Sequence, residues 1–260
     1  MLEEVKNETV WSWSRLNSYD MAEKCEGCYY NFFLQYYKGD RGEGNFFSSY
    51  GTLVHETIEK LHNNELFAWD LEKELMNGWK KLGHKPPFPR MGKSYEEALF
   101  DFFKEGCYNY IFDQYQILEA EEEKLFEVDG IKIKGYPDLV AQHNTYNLVI
   151  GDYKTSKKYE GEKLHHNIMQ LYLYSIPIKE KYGKYPDYLI YIFPREKGKK
   201  EFAYPFKLED LERTKTWVKR TVEKIENTYE WKPRCIDVDG KKDFFANNLC
   251  NNRFGCSYKH

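Results

Sequence analysis

Gly135-Tyr136-Pro137-Asp138-Leu139-Val140 and Leu148-Val149-Ile150-Gly151-Asp152-Tyr153-Lys154 carry the pattern of two adjacent strands. Each is a short apolar run carrying a carboxylate and bounded by turn residues. The spacing predicts neighbouring strands over 136–142 and 146–153, joined by a turn at His143-Asn144. Just upstream, 124–128 and 131–134 flank Asp129-Gly130, a strong hairpin signal. Side chains alternate along a strand, so Asp152 and Lys154 share a face, and Asp138 joins them if the two strands pair.

Outward from this centre the period changes. Helices are predicted over 14–37, 51–63 and 71–82, the second carrying Val54, Ile58 and Leu61 as an apolar stripe. A proline-rich loop at 83–89 follows, and then a long aromatic-rich helix from a Ser94 cap, with Glu97 in capping-box position, to about Tyr115. Beyond the central strands, a helix is predicted over 161–181, strands over 188–193 and 201–206, and a last helix over 208–229. The order describes one α/β domain, a mixed β-sheet flanked by helices with N-terminal helical additions. It divides into a helical part at about 1–118, a core at about 119–230 and a cysteine-containing tail at 231–260.

A chain of 260 residues buries a substantial core. Aromatics make up 18% of it, with 23 Tyr and 17 Phe, a composition that fits stacking on unpaired bases as well as a tyrosine-rich core. The net charge of −3 hides an asymmetry: residues 1–130 carry 14 basic against 25 acidic side chains, residues 131–260 carry 25 against 17. The second half therefore offers a surface for a polyanion, although a solvated charged face looks the same. No run approaches the ~20 apolar residues of a membrane helix. The acidic start MLEEVKNETV lacks the layout of a signal peptide, so a cytoplasmic protein is expected. In that compartment the six cysteines read as thiols or metal ligands.

Two carboxylates on one wall make a hard-oxygen site for Mg²⁺ or Mn²⁺, and a lysine two residues on is placed to orient or deprotonate a water beside it. These are the parts that phosphodiester hydrolysis needs. A cross-strand salt bridge at a strand end has the same spacing.

Pro137-Asp138 followed by Asp152-Tyr153-Lys154 resembles the PD-(D/E)XK nuclease signature. More closely, the chain resembles RecB-type nucleases, including phage and CRISPR-associated exonucleases. The resembling segments are Ser12-Trp13-Ser14-Arg15-Leu16 with Cys28-Tyr29-Tyr30-Asn31-Phe32, Gly51-Thr52-Leu53-Val54-His55-Glu56, the two acidic motifs, and Gln170-Leu171-Tyr172-Leu173-Tyr174. The resemblance implies a restriction-endonuclease-like core and a Mg²⁺- or Mn²⁺-dependent deoxyribonuclease, an exonuclease in recombination, repair or mobile-element DNA processing. It implies that His55, Asp138, Asp152 and the Tyr153 carbonyl ligate metal and that Lys154 serves the attacking water. It further implies that Gln170 supports the lysine or the scissile phosphate and that Tyr174 contacts DNA. Glu59, one turn beyond His55, is the expected partner of its second ring nitrogen. Lys157, Lys158, Lys163, His165 and His166 form a basic stretch suited to phosphates, or a solvated charged loop. The implied partners are single-stranded DNA or DNA ends and a helicase or recombination protein. A structure-specific endonuclease and a non-catalytic nucleic-acid-binding module remain as alternatives.

Many members of that group hold a [4Fe–4S] cluster on one N-terminal and three C-terminal cysteines. Cys28, Cys250 and Cys256 match three of those positions, but Asn247 stands where the fourth cysteine belongs. Three readings stay open: an atypical cluster using Cys235 or Cys25, a zinc site, or a lost cluster with leftover thiols.

Overall fold

The computed structural model describes residues 9–24, 26–83, 97, 100, 101, 104, 114–194, 196–234, 243 and 245–258. Its axis is strand β6 (Asn147–Tyr153), whose residues are buried at every position but the first. Such a continuous apolar run suits a strand covered on both faces. Around it a five-stranded mixed sheet has the order β2 (Tyr115–Glu119), β5 (Leu139–His143), β6, β7 (Tyr188–Ile192) and β8 (Glu201–Pro205). The β6–β7 pair is parallel, and the other neighbours are antiparallel. The Asp129-Gly130 hairpin forms as expected, with φ of 49° and 82° at its two turn residues. It does not extend this sheet, however: β3 (Lys124–Val128) and β4 (Ile131–Gly135) join the short β1 (Trp11–Ser12) in a second sheet of order β1-β4-β3.

The period of two along the large sheet sorts its side chains between two cores. Val140, Ile150, Leu189 and Tyr191 pack with α1 (Trp13–Glu23), α6 (Met169–Tyr182) and α7 (Leu208–Glu226). Leu139, Val149, Tyr153 and Ile190 face α3 (Phe46–His62) and α4 (Leu71–Lys80). Asp152 thus looks toward α6, whereas Tyr153 looks toward α3.

Several helices differ from expectation for local reasons. The helix predicted over 14–37 is two, α1 and α2 (Tyr29–Tyr37). Between them Gly27 lies so close to α1 that a Cβ would sit 3.0 Å from the Ala22 amide nitrogen. The α3 helix begins earlier than predicted because Asn45 and Ser48 close a reciprocal capping box. The helix predicted over 161–181 divides into α5 (Gly161–Asn167) and α6, since the Tyr191 hydroxyl donates to the Asn167 carbonyl (2.7 Å) and Leu171 N–H bonds Ile168 instead. Of the long helix predicted from Ser94, much lies outside the described residues. Glu97, Phe100, Asp101 and Lys104 are helical, but Tyr115 opens strand β2. No helix of the described residues is long and apolar enough to cross a membrane.

Candidate active site

The three strand-borne residues meet at one end of the sheet. Asp138 stands immediately before β5, since Pro137 lacks the N–H a ladder requires. Its Oδ2 accepts the Tyr153 backbone N–H at 2.7 Å, which ties the two acidic segments together. Asp152 and Lys154 share a face, and Asp152 Oδ2 lies 2.7 Å from Lys154 Nζ. Lys154 prolongs β6 by donating its backbone N–H to the Ile192 carbonyl (2.9 Å). Gly151 lets β5 pass close by, because a Cβ there would lie 3.1 Å from the Leu139 side chain.

Two helices complete the arrangement, one on each face. From α6, Gln170 Oε1 accepts from Lys154 Nζ at 3.2 Å, and Gln170 Nε2 reaches the Tyr174 hydroxyl at 3.5 Å. The Tyr174 ring rests on Gly135, where a Cβ would meet Cε1 at 2.1 Å. The glycine that opens the first acidic motif is therefore the seat of Tyr174. From α3, His55 Nδ1 lies 3.4 Å from Asp138 Oδ2 and 3.4 Å from Glu121 Oε1. Two turns on, His62 Nε2 is 3.3 Å from the Tyr153 hydroxyl, a contact not anticipated from the sequence.

Glu121 is the residue that the sequence did not reveal; it meets His55 on Nδ1, the nitrogen that also faces Asp138, and not on the second ring nitrogen for which Glu59 was expected. Its backbone N–H donates to the Pro137 carbonyl (3.0 Å), which fastens it to the Asp138 segment. Its φ of 50° is left-handed, a strained conformation for a non-glycine residue that often marks a functional position. The visible signal was the Glu121-Glu122-Glu123 run.

Burial and charge split the two aspartates. Burial opposes ionisation of Asp138, but His55, Lys154 and the Tyr153 amide outweigh it and hold the carboxyl below its usual range. Asp152 is pushed up to about 7 by burial and by Asp138, against the pull of Lys154. Burial would discharge His55, yet Asp138, Glu121 and Asp152 raise it well above the usual imidazole value. Lys154 likewise overcomes burial and stays above the usual lysine value through Asp152, Tyr159 and Asp138. Tyr174 is pushed up to about 12, chiefly by burial, so it is a neutral hydroxyl.

The family model described as the PD-(D/E)XK nuclease superfamily matches residues 11–259. The chain belongs to the PD-(D/E)XK nuclease superfamily. No curated protein matches it. A solved structure of SSO0001 is 22% identical, over 55% of this chain and 61% of that one, with a TM-score of 0.31. The chain thus spans about three fifths of that protein's length, and a likeness this slight carries no argument.

PD-(D/E)XK nucleases typically use divalent metal ions, and the donors present fit one. His55, Glu121 and Asp138 offer ligand atoms within 4.8 Å of one another, two hard oxygens and an imidazole nitrogen. Asp152 stands outside that triplet. Its Oδ2, though beside Lys154, makes no hydrogen bond of acceptable geometry and is a buried oxygen with spare acceptor capacity.

The cysteine expectation fares differently. Cys28 and Cys250 are buried and Cys256 half-buried, at a corner where the C-terminal tail packs on α2 and the start of α3. Burial, with Cys28 and Cys256 nearby, pushes the Cys250 thiol up to about 11. Asn247 turns its amide to the Asp243 carbonyl (2.8 Å). The described residues supply three thiols and not four, so they do not complete a four-thiolate site; Cys25 and Cys235 lie outside the described residues. Within the basic stretch, His166 sits edge-on to Trp217 and tilted to Trp13 and hydrogen-bonds Asn17 (2.7 Å), and burial lowers its pKa.

Proposed function

We propose that this superfamily member is a metal-dependent deoxyribonuclease of RecB type, with residues 1–260 acting as one nuclease domain. The observation that carries the proposal is the convergence of His55, Glu121 and Asp138 beside the Asp152–Lys154–Gln170 chain in a PD-(D/E)XK protein. In this reading His55, Glu121 and Asp138, with Asp152 and the Tyr153 carbonyl, hold Mg²⁺ or Mn²⁺. The bound ion supplies Lewis acidity toward the phosphate and a lowered pKa for water.

The remaining work belongs to the chain's own groups. Lys154, kept charged by its neighbours, donates hydrogen bonds to the incoming water and faces the charge that develops on the phosphate. Gln170 fixes the ammonium from behind, and its amide nitrogen is steadied by the Tyr174 hydroxyl. Tyr174 stays neutral, so its role is to position and to contact DNA, not to transfer a proton. Exonuclease action on single strands or ends is the family-based part of the proposal.

The test is incubation of end-labelled linear and circular DNA, single- and double-stranded, with Mg²⁺, Mn²⁺ or EDTA, beside Lys154→Ala. The expected result is metal-dependent cleavage of linear substrates that EDTA and Lys154→Ala abolish, with circular single strands spared. Cleavage equal in wild type and Lys154→Ala overturns the nuclease proposal, and cleavage of circles overturns the exonuclease part.

A further inference from the structure

Lys154 and Gln170 open onto a cleft of about 470 Å³ that runs from the catalytic end along α1 to the cysteine corner. Its walls come from α1, α2, the start of α3, α5 and the C-terminal Phe245–Leu249 turn. Their chemistry is unusual for a path that meets DNA. Among the described residues Lys154 is the single charged side chain in the lining, whereas six carboxamides face it: Asn17, Asn31, Asn45, Asn167, Gln170 and Asn251. Three serine hydroxyls and the aromatic rings of Trp13, Tyr159 and Phe245 complete it.

A groove that grips a phosphate backbone needs cations, because binding draws on neutralised phosphates and released counterions. One lysine, already committed to Asp152 and Gln170, does not provide that. Carboxamides and hydroxyls instead match the donor and acceptor edges of bases, and aromatic rings match their faces. Most of these groups are held by the protein: Asn45 caps α3 and bonds Leu249 and Asn251, Asn17 meets His166 and Met21, Asn167 donates to the Lys163 carbonyl, and Gln170 meets Lys154 and Tyr174. Others are uncommitted. Ser14 and Ser18 make no hydrogen bond within the described residues, and Asn31 uses its carbonyl oxygen for Cys250 Sγ (3.3 Å) and leaves its amide N–H₂ group without a protein acceptor. The volume lies in the ~300–1,000 Å³ range of small-ligand clefts. It admits unstacked bases, whose faces and edges a single strand presents and a stacked duplex does not.

We infer that this cleft is a nucleobase subsite, which holds unstacked bases of a single strand next to the scissile phosphate through amide and hydroxyl contacts and not through its phosphates. The inference rests on the nuclease proposal and adds to it how the strand is held. Base-edge reading brings a composition preference near the cut and a binding contribution that persists as salt rises.

The test uses the full chain with Ca²⁺ as a non-cleaving ion and measures fluorescence anisotropy of short oligonucleotides. The probes are dA, dC and dT homopolymers and an abasic strand of equal length, from about 50 to 200 mM salt. The abasic strand is expected to bind on the order of tenfold more weakly, with the gap kept across the salt range. Ser14→Ala with Ser18→Ala, and separately Asn31→Leu, are expected to narrow the gap by weakening the base-bearing strands alone. Because Asn31 touches the cysteine corner, the serine pair keeps the test decisive if Asn31→Leu does not fold. Equal binding of abasic and base-bearing strands, or equal weakening of both by the serine variants, overturns the subsite. Cleavage of long DNA with Mn²⁺ is scored in parallel: active enzyme with equal abasic binding overturns the subsite alone, and base-dependent binding without cleavage overturns the nuclease proposal alone.

Discussion

Asp138, immediately before β5, and Asp152, near the end of the adjacent β6, are the same side chain, both buried, yet their surroundings drive them in opposite directions. Asp138 receives the Tyr153 amide and faces the His55 imidazole, so its charge is met on two sides. Asp152 has Lys154 on one side and the Asp138 charge on the other, and is raised to about 7. Sequence spacing places the carboxylates, whereas the groups around them (His55 from α3, and the Tyr153 amide and Lys154 from β6 and its extension) decide which one carries charge.

Removing each carboxylate in turn separates the two environments. Asp138→Ala and Asp152→Ala are both expected to reduce cleavage by on the order of a thousandfold. Stability should separate them. Asp138→Ala leaves the buried Tyr153 N–H without its acceptor, at a cost of about 1–3 kcal/mol in metal-free denaturant melts. Asp152→Asn, which mimics the protonated form, should leave the melt at pH 5 nearly unchanged. Equal destabilisation by the two would show that their environments do not differ.

Titration sharpens the same contrast. A raised carboxylate favours the folded state while it is protonated. The contribution of Asp152 is therefore full below the ordinary value near 4 and is lost as pH rises toward about 7. The depressed Asp138 acts the other way: its contribution is present above the ordinary value and is lost on acidification through its lower folded value. Urea melts of metal-free protein from pH 5 to 8, wild type against Asp152→Asn, should show the first slope disappear in the variant. Metal affinity should fall as pH drops through about 7, because the ion then competes with a proton on Asp152.

Much of the lysine side of the site was legible in the sequence. The period of two put Asp152 and Lys154 on one face, and a spacing of four put Gln170 and Tyr174 on one helical face. The structure joins these pairs through the Lys154–Gln170 contact. The metal-donor side was less legible. Glu121 reaches His55 because its backbone is fastened to Pro137, a long-range contact with no periodic trace. The Asp129-Gly130 turn was evident, but no local pattern tells which sheet a hairpin joins. The break at Ile168 depends on Tyr191, from a distant strand.

Smaller changes probe the supports of the lysine side. Gly135→Ala drives a methyl group into the Tyr174 ring and is expected to cost about 1–3 kcal/mol and to lower cleavage roughly tenfold. In a Tyr174→Ala background, where the ring it meets is gone, Gly135→Ala should cost little further stability. Gln170→Ala removes the acceptor that orients Lys154, and a loss of about tenfold or less in single-turnover rate is expected, with metal affinity unchanged.

The most direct measurement is a Mn²⁺ titration followed by the electron paramagnetic resonance of the free ion at pH 8, with wild type, Asp138→Asn and Glu121→Gln. If His55, Glu121 and Asp138 form the cation site, wild type removes the free-ion signal stoichiometrically and each variant binds at least ~10-fold more weakly. Wild type that leaves the signal intact, or Glu121→Gln that binds as wild type does, contradicts it.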